Sequence, residues 1–161
     1  VVFHYEAIAE GGLAMTMTGL QVFDTTVHKT DNWVNDITQK LHTDDTHHAF
    51  QGLRVTLHTL RDRLTVEEAA QLGAQLPILL AGFYYEGWKP AQSPTKQRSK
   101  DEFLQPIREY FQGVNADFDA ETVVRSVFRL LSDRITRGEI EDITKMMPAE
   151  LEQLWPEPVR A

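Results

Sequence analysis

The chain has 161 residues, 42% of them hydrophobic, with 24 acidic against 16 basic side chains and a formal net charge of −8. That apolar share excludes wholesale disorder and suits one domain, or two small units sharing a core. The acidic balance excludes a general nucleic-acid binder, which needs a basic surface, and the absence of cysteine excludes disulfides, thiolate metal sites and cysteine nucleophiles.

No apolar run reaches the length of a membrane-spanning helix. Residues 1–28 contain neither Lys nor Arg, so the basic start of a secretory signal is missing. The expectation is a cytoplasmic protein with no membrane partner. "VVFHYEAIAEGGLA" precedes Met15 and Met17, either of which can serve as a start. The expectation is that residues 1–21 form an N-terminal extension, partly of cloning or upstream origin.

The first amphipathic segment is "VHKTDNWVNDITQKL", in which Val27, Thr30, Val34, Ile37 and Leu41 share a face with Trp33 beside it. "LHTDDTHHAF" follows. His42, Asp44, Asp45, His47 and His48 are all metal-ligand types, and Asp44, His47 and His48 are the candidates for a metal site. Adjacent histidines on a helix diverge by about 100°, and His58 lies roughly 16 Å further along. Capping by Thr43 or Asp44 is the better reading, and no metal or other cofactor is expected.

In "QGLRVTLHTLRDRL", Phe50, Leu53, Leu57, Leu60 and Leu64 form the apolar stripe of a second helix. Its polar face aligns Arg54, His58 and Arg61, which reads as a solvated face, with binding of an acidic partner as the alternative. Thr65 and Glu68 then make a capping box, with Leu64 and Ala69 as its hydrophobic staple. Pro77 marks a further boundary and opens a short helix, "PILLAGFYY". In "FYYEGW", Tyr84, Tyr85 and Trp88 are expected at a packed seam, with exposure to a partner as the alternative.

"GWKPAQSPTKQRS" carries the prolines and polar residues of a surface linker. Its basic residues Lys89, Lys96 and Arg98, with Lys100, are too few to attract nucleic acid. "SKDEFLQPIREYFQGV" then sets Phe103, Leu104, Ile107 and Phe111 on one face behind a Ser99–Glu102 box. Pro106 calls for a kink or a later start. "VNADFDAE" keeps the acids of the earlier His-rich turn and drops every histidine. Val124, Phe128, Leu131 and Ile135 make the next stripe, Thr136 and Glu139 the next box, Ile135 and Ile140 the next staple. Pro148 opens "PAELEQLW".

"LRDRLTVEEAAQLGAQLP" and "LSDRITRGEIEDITKMMP" thus repeat one phrase 71 positions apart, with nearly every shared residue carrying a folding task. The expected fold is all-α: two tandem repeats of a three-to-four-helix unit packed about a pseudo-two-fold axis. Repeat 1 covers 22–88, a linker 89–98, repeat 2 99–156, and a tail 157–161. Asp62–Arg63 and Asp133–Arg134 near the helix ends are expected to pair across the helix corner or the pseudo-dyad, Asp62 with Arg134 being the pair to test. An Asp–Arg site for a small anion is the functional alternative.

"FDTTVHKTDNWVNDI", "LRVTLHTLRDRLTVEEAAQLGAQLP" and "FYYEGWKP", in that order, resemble bacterial proteins grouped as domain-of-unknown-function family 2267. The resemblance is close from Phe23 to about Pro90 and looser through the second copy. It implies a small helical bacterial protein and carries over no catalytic residue.

No G-x-S-x-G and no Gly-rich phosphate loop is present. The favoured reading is a non-enzymatic helical module, regulatory in role, that binds a protein partner or itself. The alternative is a small-molecule or metal-dependent enzyme whose site is assembled between the two repeats.

Overall fold

A computed structural model describes residues 17–157, so expectations for residues 1–16 and 158–161 lie outside the described residues. The all-helical reading holds: among the described residues there are eight α-helices and no strand. These are α1 (Gln21–Lys40), α2 (Thr46–Arg63), α3 (Val66–Ala74), α4 (Ile78–Tyr85), α5 (Lys100–Gly113), α6 (Ala120–Arg134), α7 (Arg137–Lys145) and α8 (Ala149–Glu152).

α2 is the hub, packing on α1, α4, α5 and α6. Its Leu53, Leu57 and Leu60 are buried among Ile37 of α1, Phe103, Ile107 and Phe111 of α5, and Val123, Val127, Phe128 and Leu131 of α6. Each such side chain contributes about 1.5–3 kcal/mol on burial. Gly52 permits the close approach at the centre, since a Cβ there would lie 2.9 Å from Val123 Cγ1 and 3.3 Å from Phe111 Cζ. Trp155 closes the far end, stacked on Phe128 at 4.0 Å.

Each helix break has a local cause. After α2, Leu64 and Thr65 are extended (ψ 158° and 157°), and the Thr65 hydroxyl accepts from the Glu68 N–H at 3.3 Å. After α6, Ile135 and Thr136 are extended likewise (ψ 153° and 143°). Pro77 and Pro148 sit one step before α4 and α8, not inside their first turns. Neither has a side-chain cap to offer, and Thr26 of α1 meets part of the need by accepting from Leu79 N at 2.9 Å.

Several boundaries differ from expectation. α1 begins at Gln21, ahead of its amphipathic segment. The cap of α2 is Asp45, one residue beyond Asp44, because its carboxylate reaches both the backbone and the ring of His48. α5 starts at Lys100, capped by Ser99, and runs through Pro106. The ring forgoes one helical hydrogen bond, and the fully buried Phe103, Leu104 and Ile107 hold the segment in place. His42 and Asn115 follow the ends of α1 and α5 with φ of 51° and 52°, in the left-handed region that reverses the chain.

Candidate binding groove

The N-terminal part of α1 and the α3–α4 junction enclose a groove with two contiguous ends. At one end Gln21, Val22, Thr25, Thr26, Pro77 and Ile78 surround a cavity of about 440 Å³. Two of its apolar members are unusually open, Val22 being 62% and Ile78 74% exposed. Leu20, Phe23 and Leu79, adjacent in sequence, are exposed as well. Isolated exposed apolar residues are ordinary, whereas several at one cleft mark an interaction surface.

At the other end Asn32, Trp33, Gln75 and Arg134 surround a cavity of about 450 Å³, and Lys29, Leu76 and Pro77 belong to both ends. Arg134 comes from the end of α6, so this wall joins the two halves of the chain. Its guanidinium donates to Asp36 Oδ2 at 3.2 Å and lies 5.6 Å over the Trp33 ring. Asp36 also meets Lys40 at 3.2 Å, and Lys40 in turn reaches Asp133 at 3.0 Å. Burial works against the Lys40 charge, but its bonds to Asp133 and Asp36 prevail and hold its pKa above the ordinary value. Asp133 and Arg134 therefore dock on α1.

Asp62 does not pair with Arg134. Its Oδ1 accepts from Arg61 Nε at 2.9 Å, its backbone carbonyl accepts from Thr95 N at 2.7 Å, and Arg63 Nε donates to Gln97 O at 2.8 Å. The first Asp–Arg pair thus ties down the connecting segment, and the second ties the halves together.

The supposed solvated face of α2 is mostly spent on α4. Arg61 is only 4% exposed and donates to Tyr84 O at 2.7 Å and Glu86 O at 2.9 Å. His58 Nε2 bonds Phe83 O at 2.6 Å, which makes the ring a donor there. Burial pushes the His58 pKa down, aided by Arg61 and Arg54 against the pull of the Phe83 bond. Arg54 pairs with Glu86. The last turn of α4 has no basic residue of its own, so α2 supplies the donors that its carbonyl end requires.

Tyr84, expected as seam or interface, is fully buried, and its hydroxyl donates to Ala69 O at 2.6 Å. Burial raises its pKa strongly. Tyr85 Oη donates to Ala70 O at 3.3 Å and Trp88 Nε1 to Ser93 Oγ at 3.2 Å. Gly73 leaves room for both tyrosines, since a Cβ there would come within 3.0 Å of Tyr84 Cε1.

The two boxes depart from expectation at the glutamates. Glu68 and Glu139 engage each other, and burial raises the pKa of both, helped at Glu68 by Asp142 and Glu67 against the bond to Glu139, and at Glu139 by Glu68 and Asp142. Thr136 makes no cap of its own. Gln75 replaces it, donating from Nε2 to the Thr136 hydroxyl at 3.1 Å and accepting from Thr136 N at 3.0 Å. At Ser99 the box closes one residue early, with Glu102 accepting from Arg98 N at 2.9 Å.

Asp44 and His47 are exposed, and His48 serves the Asp45 cap. Among the described residues no group of three or more His, Asp or Glu side chains is placed to hold a metal ion. Nor is any described helix long and apolar enough to cross a membrane.

A family model described as an uncharacterized conserved protein (DUF2267) matches residues 30–154. No curated protein is significantly similar to the chain.

Proposed function

We propose, for a chain that belongs to the DUF2267 family of uncharacterized conserved proteins, a non-enzymatic module that acts by holding a protein segment in its groove. The observation that carries this reading is the exposure of Val22 and Ile78 on opposite sides of one apolar cleft. Leaving them in water forfeits burial energy that a docked partner recovers. A regulatory task in the cytoplasm belongs to the same proposal.

The module is built, on this reading, from related units at 22–88 and 99–156 clasped about a pseudo-two-fold axis, with 89–98 joining them. Two features support it. Glu68 and Glu139 hold the same third position in α3 and α7 and engage each other. The α2–α3 and α6–α7 breaks both pass through two extended residues.

The rival reading, a small-molecule enzyme with a site between the halves, draws support from the polar end of the groove, where Arg134 faces residues of α1 and the α3–α4 junction.

Random-peptide phage display and light scattering on the full chain test the binding reading. The expected result is peptide selection or self-association that Ile78→Asp abolishes without lowering the melting temperature. A monomer that selects no Ile78-dependent peptide overturns it.

A further inference from the structure

Resting on the groove as a protein-binding surface, the geometry points to its occupant: a segment of a partner protein that carries an acidic side chain a short, fixed distance from apolar ones. The chain is strongly acidic overall, yet the charged residues lining both ends of the groove, Lys29 and Arg134, are cations. They differ in what they are already doing. Arg134 is committed to Asp36, the Asn32 carbonyl and the Trp33 ring. Lys29 makes no ion pair and its side chain no hydrogen bond among the described residues, and it stands where the apolar and polar ends meet. An incoming carboxylate gains there a cation that need not first give up a partner. The Asn32 side-chain amide, on the same wall, is a second donor with no hydrogen bond among the described residues.

The spacing follows from α1. Val22 and Lys29 lie seven positions apart on that helix, roughly 10 Å along its axis at 1.5 Å per residue. An extended peptide covers that distance in about three residues, a helical one in about seven. Apolar side chains over Val22, Leu76 and Ile78 thus bring a carboxylate three residues away onto Lys29. A nucleic-acid or anionic lipid surface fits less well. The groove is concave with a single uncommitted cation, and a molecule of net charge −8 is repelled by an extended anionic surface.

The test sequences the peptides selected by the full chain. A fluorescein-labelled consensus peptide is then titrated by anisotropy against the unaltered protein, Lys29→Glu and Ile78→Asp. Melting curves establish that each variant is folded. The expected consensus places Asp or Glu near paired apolar residues, and binding weakens with added salt. Lys29→Glu is expected to weaken it roughly fivefold or more, and Ile78→Asp to abolish it. Peptides that depend on Ile78 but carry no acid, or that bind Lys29→Glu unchanged, overturn the inference and leave the groove reading standing. Ile78-dependent self-association with no acidic peptide selected, or Ile78-dependent co-sedimentation with phosphatidylglycerol vesicles, assigns the groove to another occupant and overturns it too. No Ile78-dependent binding of any kind removes both readings.

Discussion

Glu68 and Glu139 hold the third position of α3 and α7, and their carboxyl groups meet where these helices pack. One oxygen of each, Glu68 Oε2 and Glu139 Oε1, is buried with no donor. Two carboxylates are acceptors only, so the pair lacks a proton between them. Asp142 acts on both and Glu67 on Glu68, adding further negative charge. Both pKa values accordingly lie above the ordinary 4.5.

A carboxyl raised in the folded state stabilises the fold fully below its unfolded pKa. That contribution is lost as pH rises through the raised value. Glu139→Gln supplies a permanent donor to Glu68 and removes one charge. It is expected to raise stability near pH 7 by about 1 kcal/mol, or 2–4 °C in melting temperature, and to make no difference near pH 4. Thermal melts across pH 4–8 measure this. A variant less stable than the parent at pH 7 would contradict it.

Arg61 gives the second prediction. Arg61→Met strands the Tyr84 and Glu86 carbonyls and frees Asp62, at an expected cost of about 3 kcal/mol in urea denaturation. Arg61→Lys is expected to recover less than half, because an ammonium lacks the fork that spans three acceptors. Full recovery by Lys would reduce Arg61 to a point charge.

Lys40 and Asp133 give the third. A double-mutant cycle to alanine is expected to yield a coupling of about 0.5 kcal/mol at low salt, because Asp133 is half exposed. At molar salt the coupling should vanish. A coupling indifferent to salt would mean that packing, not charge, joins α1 to α6.

His42 gives the fourth. An L-residue with positive φ is strained, and glycine is not. His42→Gly is expected to stabilise the chain by about 0.5–1 kcal/mol, and His42→Ala to bring little or no gain.

The helices were legible because their information is local. Stripes such as Leu53–Leu57–Leu60 and Val124–Phe128–Leu131 declare a face within one element, and all six residues are buried. The groove was not legible, since it takes Val22 and Lys29 from α1, Leu76 and Pro77 from a turn, Ile78 from the start of α4, and Arg134 from the far end of α6. Arg61 misled for a related reason. An arginine on a polar stripe looks solvated until another helix end comes to rest on it. One signal was available, namely that "FYYEGW" ends a helix without a cation to satisfy its carbonyls. Thr136 misled differently, because a competent capping residue was superseded by an amide 61 positions away.

Arg134 belongs at once to the wall of the groove and to the strut between the first and last thirds of the chain. Filling the cleft and holding the molecule together are therefore thermodynamically linked. A guest that grips this wall must raise the denaturation midpoint, by RT ln(1 + [L]/Kd). Heat resistance alone, read on unlabelled protein against candidate peptides, is enough to find it.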